Sequence, residues 1–267
     1  MTPEDNRGFG GLSWSPDGTR LVIECPPEAT SDGNGQICVL NIDGTGLWRL
    51  LPSNLLGFSP AWSPDGRWIA FISQSPEGLR EAINIVSPNG SQMRTVVNDA
   101  DFPSPPVWSP DGTKFAYTPG NGGTKIVLAD VYGSDSCDFD TGDRSPSNPS
   151  WSPDGNSLLF LTSSLGKAFS GLSVINADGT GLRDIVLDDD IAWAIWSSDG
   201  QAMAVVRSSP EPSLATPGIV AQRITLEVLR LDGTASRTLS EETVASEVDA
   251  LIDGPSSWQP VATAPGR

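Results

Sequence analysis

The stretch Trp14-Ser15-Pro16-Asp17-Gly18 recurs along the chain and decides its fold. Four copies are identical, and the fifth, Trp196-Ser197-Ser198-Asp199-Gly200, lacks only the proline. Successive copies lie 43 to 48 residues apart, and a nearly fixed period of this size indicates a repeat architecture. Three residues return at constant spacing: Trp14, Asp17 and Gly18; Trp62, Asp65 and Gly66; Trp108, Asp111 and Gly112; Trp151, Asp154 and Gly155; Trp196, Asp199 and Gly200; and then Trp258 alone.

The second copy shows what one unit contains. Ser63-Pro64-Asp65-Gly66 has the chemistry of a type I turn, because proline fixes φ, aspartate bonds back to the backbone and glycine accepts a left-handed conformation. The turn joins two apolar runs, which predicts a tight β-hairpin. Two more apolar runs, Ala82–Val86 and Met93–Val97, follow around a second turn. We therefore predict an all-β fold, a β-propeller of four-stranded antiparallel blades with strands A to D, and no helix.

The repeated residues have structural interpretations. One large ring per blade suits a ring of stacked sheets, so the tryptophans are predicted to pack between blades. The turn aspartates are predicted to form turns rather than to catalyse, because one per blade leaves them too far apart for paired-carboxylate chemistry.

The unit resembles the WD-like repeat of the TolB-type β-propellers. That repeat runs Pro-x-Trp-Ser-Pro-Asp-Gly, then an Ile-Ala-Phe strand, then a strand ending in Asn-Ala-Asp-Gly; here Pro60–Phe71 and Asn176–Gly181 carry these features. The resemblance covers about residues 10 to 260 and implies the propeller fold, but little about activity, since such propellers host many functions. It also implies a periplasmic or extracellular protein, although Met1 to Gly8 show no signal-peptide pattern.

The repeats divide one propeller domain, residues 1–267, into blades at about 11–58, 59–104, 105–147, 148–192 and 193–254. A closing strand is predicted at 255–261 and a tail at 262–267. The fifth blade is expected to contain a long B–C loop from Arg207 to Arg223. Five full blades plus one strand of a sixth favour a six-bladed ring that is incomplete at its N-terminus. The alternative is a five-bladed ring in which residues 257–261 pair elsewhere.

The charge balance restricts the partners. The chain has 33 acidic and 16 basic residues, a net charge of −17. Such a field repels phosphate backbones and so argues against nucleic acid. No run reaches the ~20 apolar residues of a membrane span, so we expect no membrane insertion. A protein or peptide partner, preferably basic, is compatible, and a complete ring is expected to be monomeric.

Three cysteines occur, Cys25, Cys38 and Cys137. Cys25 is predicted to end strand B of blade one and Cys38 to open strand C, so the two lie close on adjacent antiparallel strands. They can form a disulfide, which would favour an exported protein, or remain two buried thiols. Cys137 lies among acidic residues, which disfavour a thiolate, and is not interpreted as a nucleophile.

The sequence contains no histidine. This excludes Ser-His-Asp and Cys-His catalysis as well as histidine-ligated zinc. Neither a Gly-x-Ser-x-Gly elbow nor a phosphate-binding glycine-rich loop occurs. We therefore expect neither an enzyme nor a required cofactor.

Acidic residues concentrate in the predicted D–A connections, which share one end of a propeller with the B–C loops. Carboxylates converging on the channel mouth from several blades would suit Ca²⁺. An acidic rim would alternatively recruit a basic segment of a partner, and the plainest interpretation is a set of solvated loops. The candidate metal ligands are Asp99, Asp101, Asp138, Asp140, Asp143, Asp188, Asp189 and Asp190.

Two functions follow from the sequence. The favoured one is a non-enzymatic TolB-like propeller that acts as a protein or peptide interaction scaffold. The alternative is a cation- or glycan-binding propeller, including a carboxylate-dependent hydrolase or lyase, whose mark would be two carboxylates ~5 to 9 Å apart in a cleft.

Overall fold

The computed structural model describes residues 11–25, 35–74, 81–100, 103–120, 123–133, 136–142, 144–164, 171–187, 190–210 and 219–247. Within these ranges all the regular secondary structure is β-strand, and the strands form five four-stranded antiparallel sheets. Strands follow chain order in each sheet, so each blade is a meander of consecutive strands. The predicted propeller of four-stranded blades is confirmed, with five blades. The predicted closing strand at 255–261, with Trp258, lies outside the described residues.

Each blade contributes its A, B, C and D strands in sequence. They are, for blade one, β1 (Leu12–Trp14), β2 (Arg20–Cys25), β3 (Gln36–Asn41) and β4 (Trp48–Arg49); for blade two, β5 (Gly57–Trp62), β6 (Ile69–Gln74), β7 (Glu81–Val86) and β8 (Met93–Ala100); for blade three, β9 (Val107–Trp108), β10 (Lys114–Tyr117), β11 (Lys125–Asp130) and β12 (Ser136–Asp140); for blade four, β13 (Arg144–Trp151), β14 (Ser157–Ser164), β15 (Gly171–Asn176) and β16 (Arg183–Val186); and for blade five, β17 (Ile191–Trp196), β18 (Ala202–Pro210), β19 (Ile219–Arg230) and β20 (Ala235–Glu247).

A cluster of buried apolar side chains lies at each boundary between successive blades. Between blades one and two, Val22 and Val39 pack with Trp62 and Phe71. The next three boundaries hold equivalent clusters, which contain Trp108, Trp151 and Trp196 in turn. An inner blade is therefore buried on both faces, which explains why its B strand is apolar at successive positions.

The outward face of blade one is less covered than the inner boundaries. Trp62, Trp108, Trp151 and Trp196 are only 5 to 8% exposed. Trp14 and Leu21, which lie opposite each other on blade one, are half-buried. The tryptophan side chain of each repeat is therefore buried by the blade that precedes it.

The predicted long loop of blade five, from Arg207 to Arg223, is strand at both of its described ends, and residues 211–218 lie outside the described residues. β18 runs to Pro210, which pairs with Gln222, and β19 begins at Ile219, which pairs with Glu247. Strand β17 pairs with β18 only as far as Arg207, so the outer parts of three strands extend past the blade. Residues 208–210, 219–225 and 241–247 form this extension, the blade-five ribbon. The amino-acid composition of this region resembles that of a loop. It becomes a sheet only because segments distant in sequence pair with each other.

Candidate functional site at the loop end

The Ser-Pro-Asp-Gly turns lie at the turn end of the propeller, the end that carries the A–B and C–D turns. In all five A–B turns the serine Oγ donates a 2.6 Å hydrogen bond to the aspartate Oδ1. The same Oδ1 accepts the backbone N–H two residues later at 3.0 Å. The bonds from Ser15 and Thr19 lower the pKa of Asp17 to about 2. These carboxylates are occupied in holding the turns.

The tryptophan indoles link one blade to the next. Each of three indole N–H groups donates to the carbonyl of the residue that directly precedes the tryptophan of the previous blade, so each bond joins two A strands. The pairs are Trp108 to Ala61 at 2.9 Å, Trp151 to Val107 at 3.0 Å and Trp196 to Ser150 at 3.1 Å.

Trp62 departs from this pattern. Its Nε1 lies 3.4 Å from the carbonyl of Gly66 in its own turn, and the Arg20 guanidinium carbon lies 4.9 Å from its ring centroid. The backbone N–H of Trp62 donates to the Ser13 hydroxyl at 3.0 Å. Blades one and two are thus joined by a different set of polar contacts.

The loop end is the end of the propeller that carries the B–C loops and D–A connections. Only some of the predicted metal ligands lie in these connections. Asp138 and Asp140 lie in strand β12 rather than in a connection, because their backbones pair with Val127 and Lys125 of β11. Asp190 directly precedes β17. Asp99 lies in β8, its side chain outside the description, and Asp101, Asp143, Asp188 and Asp189 fall outside the described residues.

Each of the three described aspartates has a partner. Lys125 Nζ bonds to Asp138 and lowers the pKa of that carboxyl. Thr124 Oγ1 donates to Asp140 at 2.9 Å, and Arg207 Nη1 donates to Asp190 at 2.6 Å. In the part of the chain that the structure describes, no three acidic or cysteine side chains are grouped to hold a metal. Calcium binding therefore stays a prediction.

Further ion pairs within blades four and five occupy more of the carboxylates. Arg207 also donates through Nε to Glu227 at 3.0 Å, so it bridges two carboxylates. In blade four, Arg144 contacts Asp184 at 2.9 Å, and Asp184 accepts the Ser173 hydroxyl at 2.8 Å. These contacts tie together strands within a blade.

Two glutamates with perturbed acidity were not predicted from the sequence. Burial raises the pKa of Glu81 and that of Glu24, and in Glu24 a hydrogen bond from the Ser59 N–H acts in the opposite direction. That bond is 2.6 Å long and crosses from blade one to blade two. Ser59 has φ of 53° at a bulge in β5, and Asn148 has φ of 49° at the equivalent bulge in β13. The Ser-Pro and Asn-Pro dipeptides before the tryptophans are the signal that could have located these bulges.

Cys25 and Cys38 are joined by a disulfide, with Cα atoms 5.8 Å apart. Cys25 pairs with Gln36 and Cys38 with Ile23, so the two cysteines are diagonal neighbours on β2 and β3. Both are buried, whereas Cys137 is an exposed free cysteine in β12. The crosslink fixes the hairpin that also carries Glu24.

The blade-five ribbon is the main departure from the repeat at the loop end. Its outer strand, β20, has 13 residues, whereas the D strands of the other blades have 2 to 8. In its sheet β20 pairs only with β19, and residues 237–243 are exposed. Glu241 and Glu242 lie on this strand, and Arg223 contacts Glu241 at 3.2 Å. A long exposed strand edge offers backbone donors and acceptors to another extended chain.

The fold and its repeated turns define a class, the β-propellers built from Trp-Ser-Pro-Asp-Gly blades. Residues 8–199, more than half of the chain, match the family model described as the TolB beta propeller domain. The chain belongs to this family.

Individual relatives share parts of this chain. Dipeptidyl-peptidase 5 of Porphyromonas endodontalis is 30% identical over 123 residues, 44% of this chain and 18% of that protein. The Tol-Pal system protein TolB of Alcanivorax borkumensis is 36% identical over 83 residues, 31% of this chain and 19% of that protein. The structure of a putative TolB from Agrobacterium tumefaciens has a TM-score of 0.65 at 20% identity, over 87% of this chain and 80% of that one. The chain thus spans less than a fifth of these two curated relatives.

Among the described residues no helix is long and apolar enough to cross a membrane.

Proposed function

We propose that the protein is a non-enzymatic interaction module that binds a basic, extended segment of a partner protein along the edge of β20. The observation that carries this proposal is the blade-five ribbon, whose outer strand is longer than any other D strand and exposed along residues 237–243. Membership of the TolB propeller family and the similarity to Tol-Pal system proteins support an interaction role.

Backbone pairing and charge would share the recognition. An added strand gains hydrogen bonds from the edge of β20, while alternate side chains supply the specificity. Glu241 and Glu242 would favour lysine or arginine in the bound segment. The net charge of −17 would also attract a basic segment toward the propeller.

A periplasmic or extracellular location completes the proposal. Disulfides persist in oxidising compartments and are rare in the cytosol. The Cys25–Cys38 bond, buried in the blade-one hairpin, fits such a compartment. Mass spectrometry of the protein purified with its thiols blocked should find Cys137 modified and the other two cysteines unmodified.

The chain offers a matched pair of substitutions for testing the edge. Glu241 and Asp138 have side chains 53% and 52% exposed, and each contacts a basic residue on the neighbouring C strand. Peptides selected from a random library on the intact propeller should be basic. Glu241→Lys should weaken their binding by about tenfold, because a rim charge of the right sign becomes repulsive. Asp138→Lys, with the same change in net charge, should alter it less than about twofold.

Two outcomes would contradict the proposal. Equal weakening by both substitutions would mean that the peptides respond to the overall negative field and not to β20. If the propeller recovered no more peptide than an unrelated acidic protein does, the proposed role as an interaction module would be wrong.

An enzymatic role is the alternative, because one relative is named a dipeptidyl-peptidase. The matched region is 18% of that protein, and the present chain has no histidine to serve as a general base. We therefore propose no reaction for this chain.

A further inference from the structure

Arg94 of β8 lies at the turn end in an unusual environment. Its guanidinium carbon is 4.9 Å from the ring centroid of Trp68 in its own blade and 4.9 Å from that of Tyr132 in blade three. Its Nε and Nη2 are shielded from solvent, and neither has a hydrogen-bond partner. Buried donors normally find a partner, and one left without destabilises the fold.

The equivalent arginine of blade four shows the usual solution. Arg183 occupies the same register in β16 as Arg94 does in β8, since Arg183 pairs with Val174 and Arg94 with Ile85. Arg183 donates from Nη1 to the Leu231 carbonyl in the next blade's C–D turn at 3.0 Å. Arg94 also reaches the C–D turn of the next blade, but it meets an aromatic ring there.

That ring stands where other blades have a short polar side chain. The C–D turns carry Asp43, Asn89, Asp178 and Asp232 at this position, and each accepts the backbone N–H two residues later. Blade three has Tyr132, a residue that is 72% exposed. A tyrosine is not required by the turn, so its presence over Arg94 needs another explanation.

We propose that Arg94 and Tyr132 form a binding site for a carboxylate group, distinct from the edge of β20 and at the other end of the propeller. Nε and Nη2 form one edge of the guanidinium and present two parallel donors, the arrangement that binds both oxygens of a carboxylate. One guanidinium balances the single charge of a carboxylate rather than the nearly double charge of a phosphate monoester. Tyr132 lies over the guanidinium and is exposed on its outer side, so it acts as a movable cover that must swing aside to admit the carboxylate, while the Trp68 ring keeps water from competing.

The site is tested by NMR on the full chain, using sodium acetate as the probe at ionic strength held constant with sodium chloride. The Nε–Hε resonance of Arg94, assigned by its loss in Arg94→Lys, should move downfield and saturate at about 100 mM acetate or below, since a single bidentate pair gives weak affinity. The Nε–Hε resonance of Arg183 should stay in place, because that guanidinium is exposed and water competes for its donors. Tyr132→Ala, which removes the cover, should lower the acetate concentration at half-saturation several-fold.

Three NMR outcomes would contradict a carboxylate site at Arg94. An Arg94 resonance that does not move with acetate in the wild type or in Tyr132→Ala would overturn it. A shift of Arg183 as large as that of Arg94 would show adventitious binding to any arginine. Inorganic phosphate that moves the Arg94 resonance as far as acetate does would overturn the preference for a carboxylate.

Discussion

The indole-to-carbonyl bonds predict that two buried tryptophans of one repeat position differ in their importance for stability. Trp151 donates to Val107 across a blade boundary at 3.0 Å, whereas Trp62 has only a 3.4 Å contact with Gly66 in its own turn. Their exposures are 8% and 5%, so they are buried alike. Phenylalanine at either position loses the N–H and part of the ring, which makes the pair a matched comparison.

The expected magnitude has a shared and a specific part. Replacing the larger ring should cost about 1 to 2 kcal/mol at both positions, less than the full truncation of a tryptophan. Trp151→Phe also loses a hydrogen bond of about 1 kcal/mol net. Trp62→Phe weakens the contact with Arg20. This loss is worth a few tenths of a kcal/mol, roughly, and slightly reduces the stability difference between the two variants. We expect Trp151→Phe to be the less stable variant by somewhat under about 1 kcal/mol.

Equilibrium unfolding in urea, followed by far-ultraviolet circular dichroism, measures this difference. The two variants should share one m value and differ in their midpoint. Trp108→Phe, which removes a 2.9 Å bond of the same kind, should behave as Trp151→Phe does. If Trp62→Phe proved as unstable as the other two, the indole bonds would contribute nothing beyond packing, and the reasoning would be refuted.

Three further predictions concern backbone, crosslink and pH. Gly233 and Gly142 both have φ of +80°, but a Cβ on Gly233 would lie 2.2 Å from the Ile185 carbonyl oxygen and one on Gly142 would contact nothing. Gly142→Ala should therefore cost about 1 kcal/mol in urea unfolding and Gly233→Ala at least about 2 kcal/mol, and equal costs would contradict the clash. Replacing both Cys25 and Cys38 by serine should lower stability by about 3 kcal/mol, as expected for a short loop closed over 13 residues, while Cys137→Ser should leave it unchanged. The pKa of Asp17 falls from 3.8 to about 2 in the fold, and those of Asp111, Asp154 and Asp199 are also lowered, mainly by bonds from the turn serines. Their stabilisation is present above about pH 4 and is lost as the pH falls toward 2, so Tm should drop over that interval, and a flat profile in differential scanning calorimetry would count against it.

Local chemistry explains why much of the fold was predictable. Ser15, Pro16, Asp17 and Gly18 specify a turn within a few residues, and the same bonds recur in every copy. Once the turns are placed, the apolar runs between them can only be strands. The blades were therefore predictable from the sequence.

Features that depend on distant pairing were not predictable. The blade-five ribbon exists because residues near Ile219 meet residues near Glu247. Asp138 and Asp140 extend a strand because β11 lies beside them. Glu24 acquires its role only where Ser59 of the next blade donates to it. The candidate site consists largely of such features, and so its residues were mostly missed or misplaced.

The boundary between blades one and two is the one inner boundary, among those described, where the tryptophan does not reach back to a carbonyl. Beside the apolar cluster at this boundary, the side-chain contacts across it come from Glu24, Arg20 and the Ser13 hydroxyl. The contacts of Glu24 and Arg20 respond to protonation or ionic strength, whereas indole-to-carbonyl bonds respond to neither. Native-state hydrogen exchange should then resolve blade one as a separate cooperative unit, which opens more readily at high salt. Blades two to five would exchange together, as the slower core of the molecule.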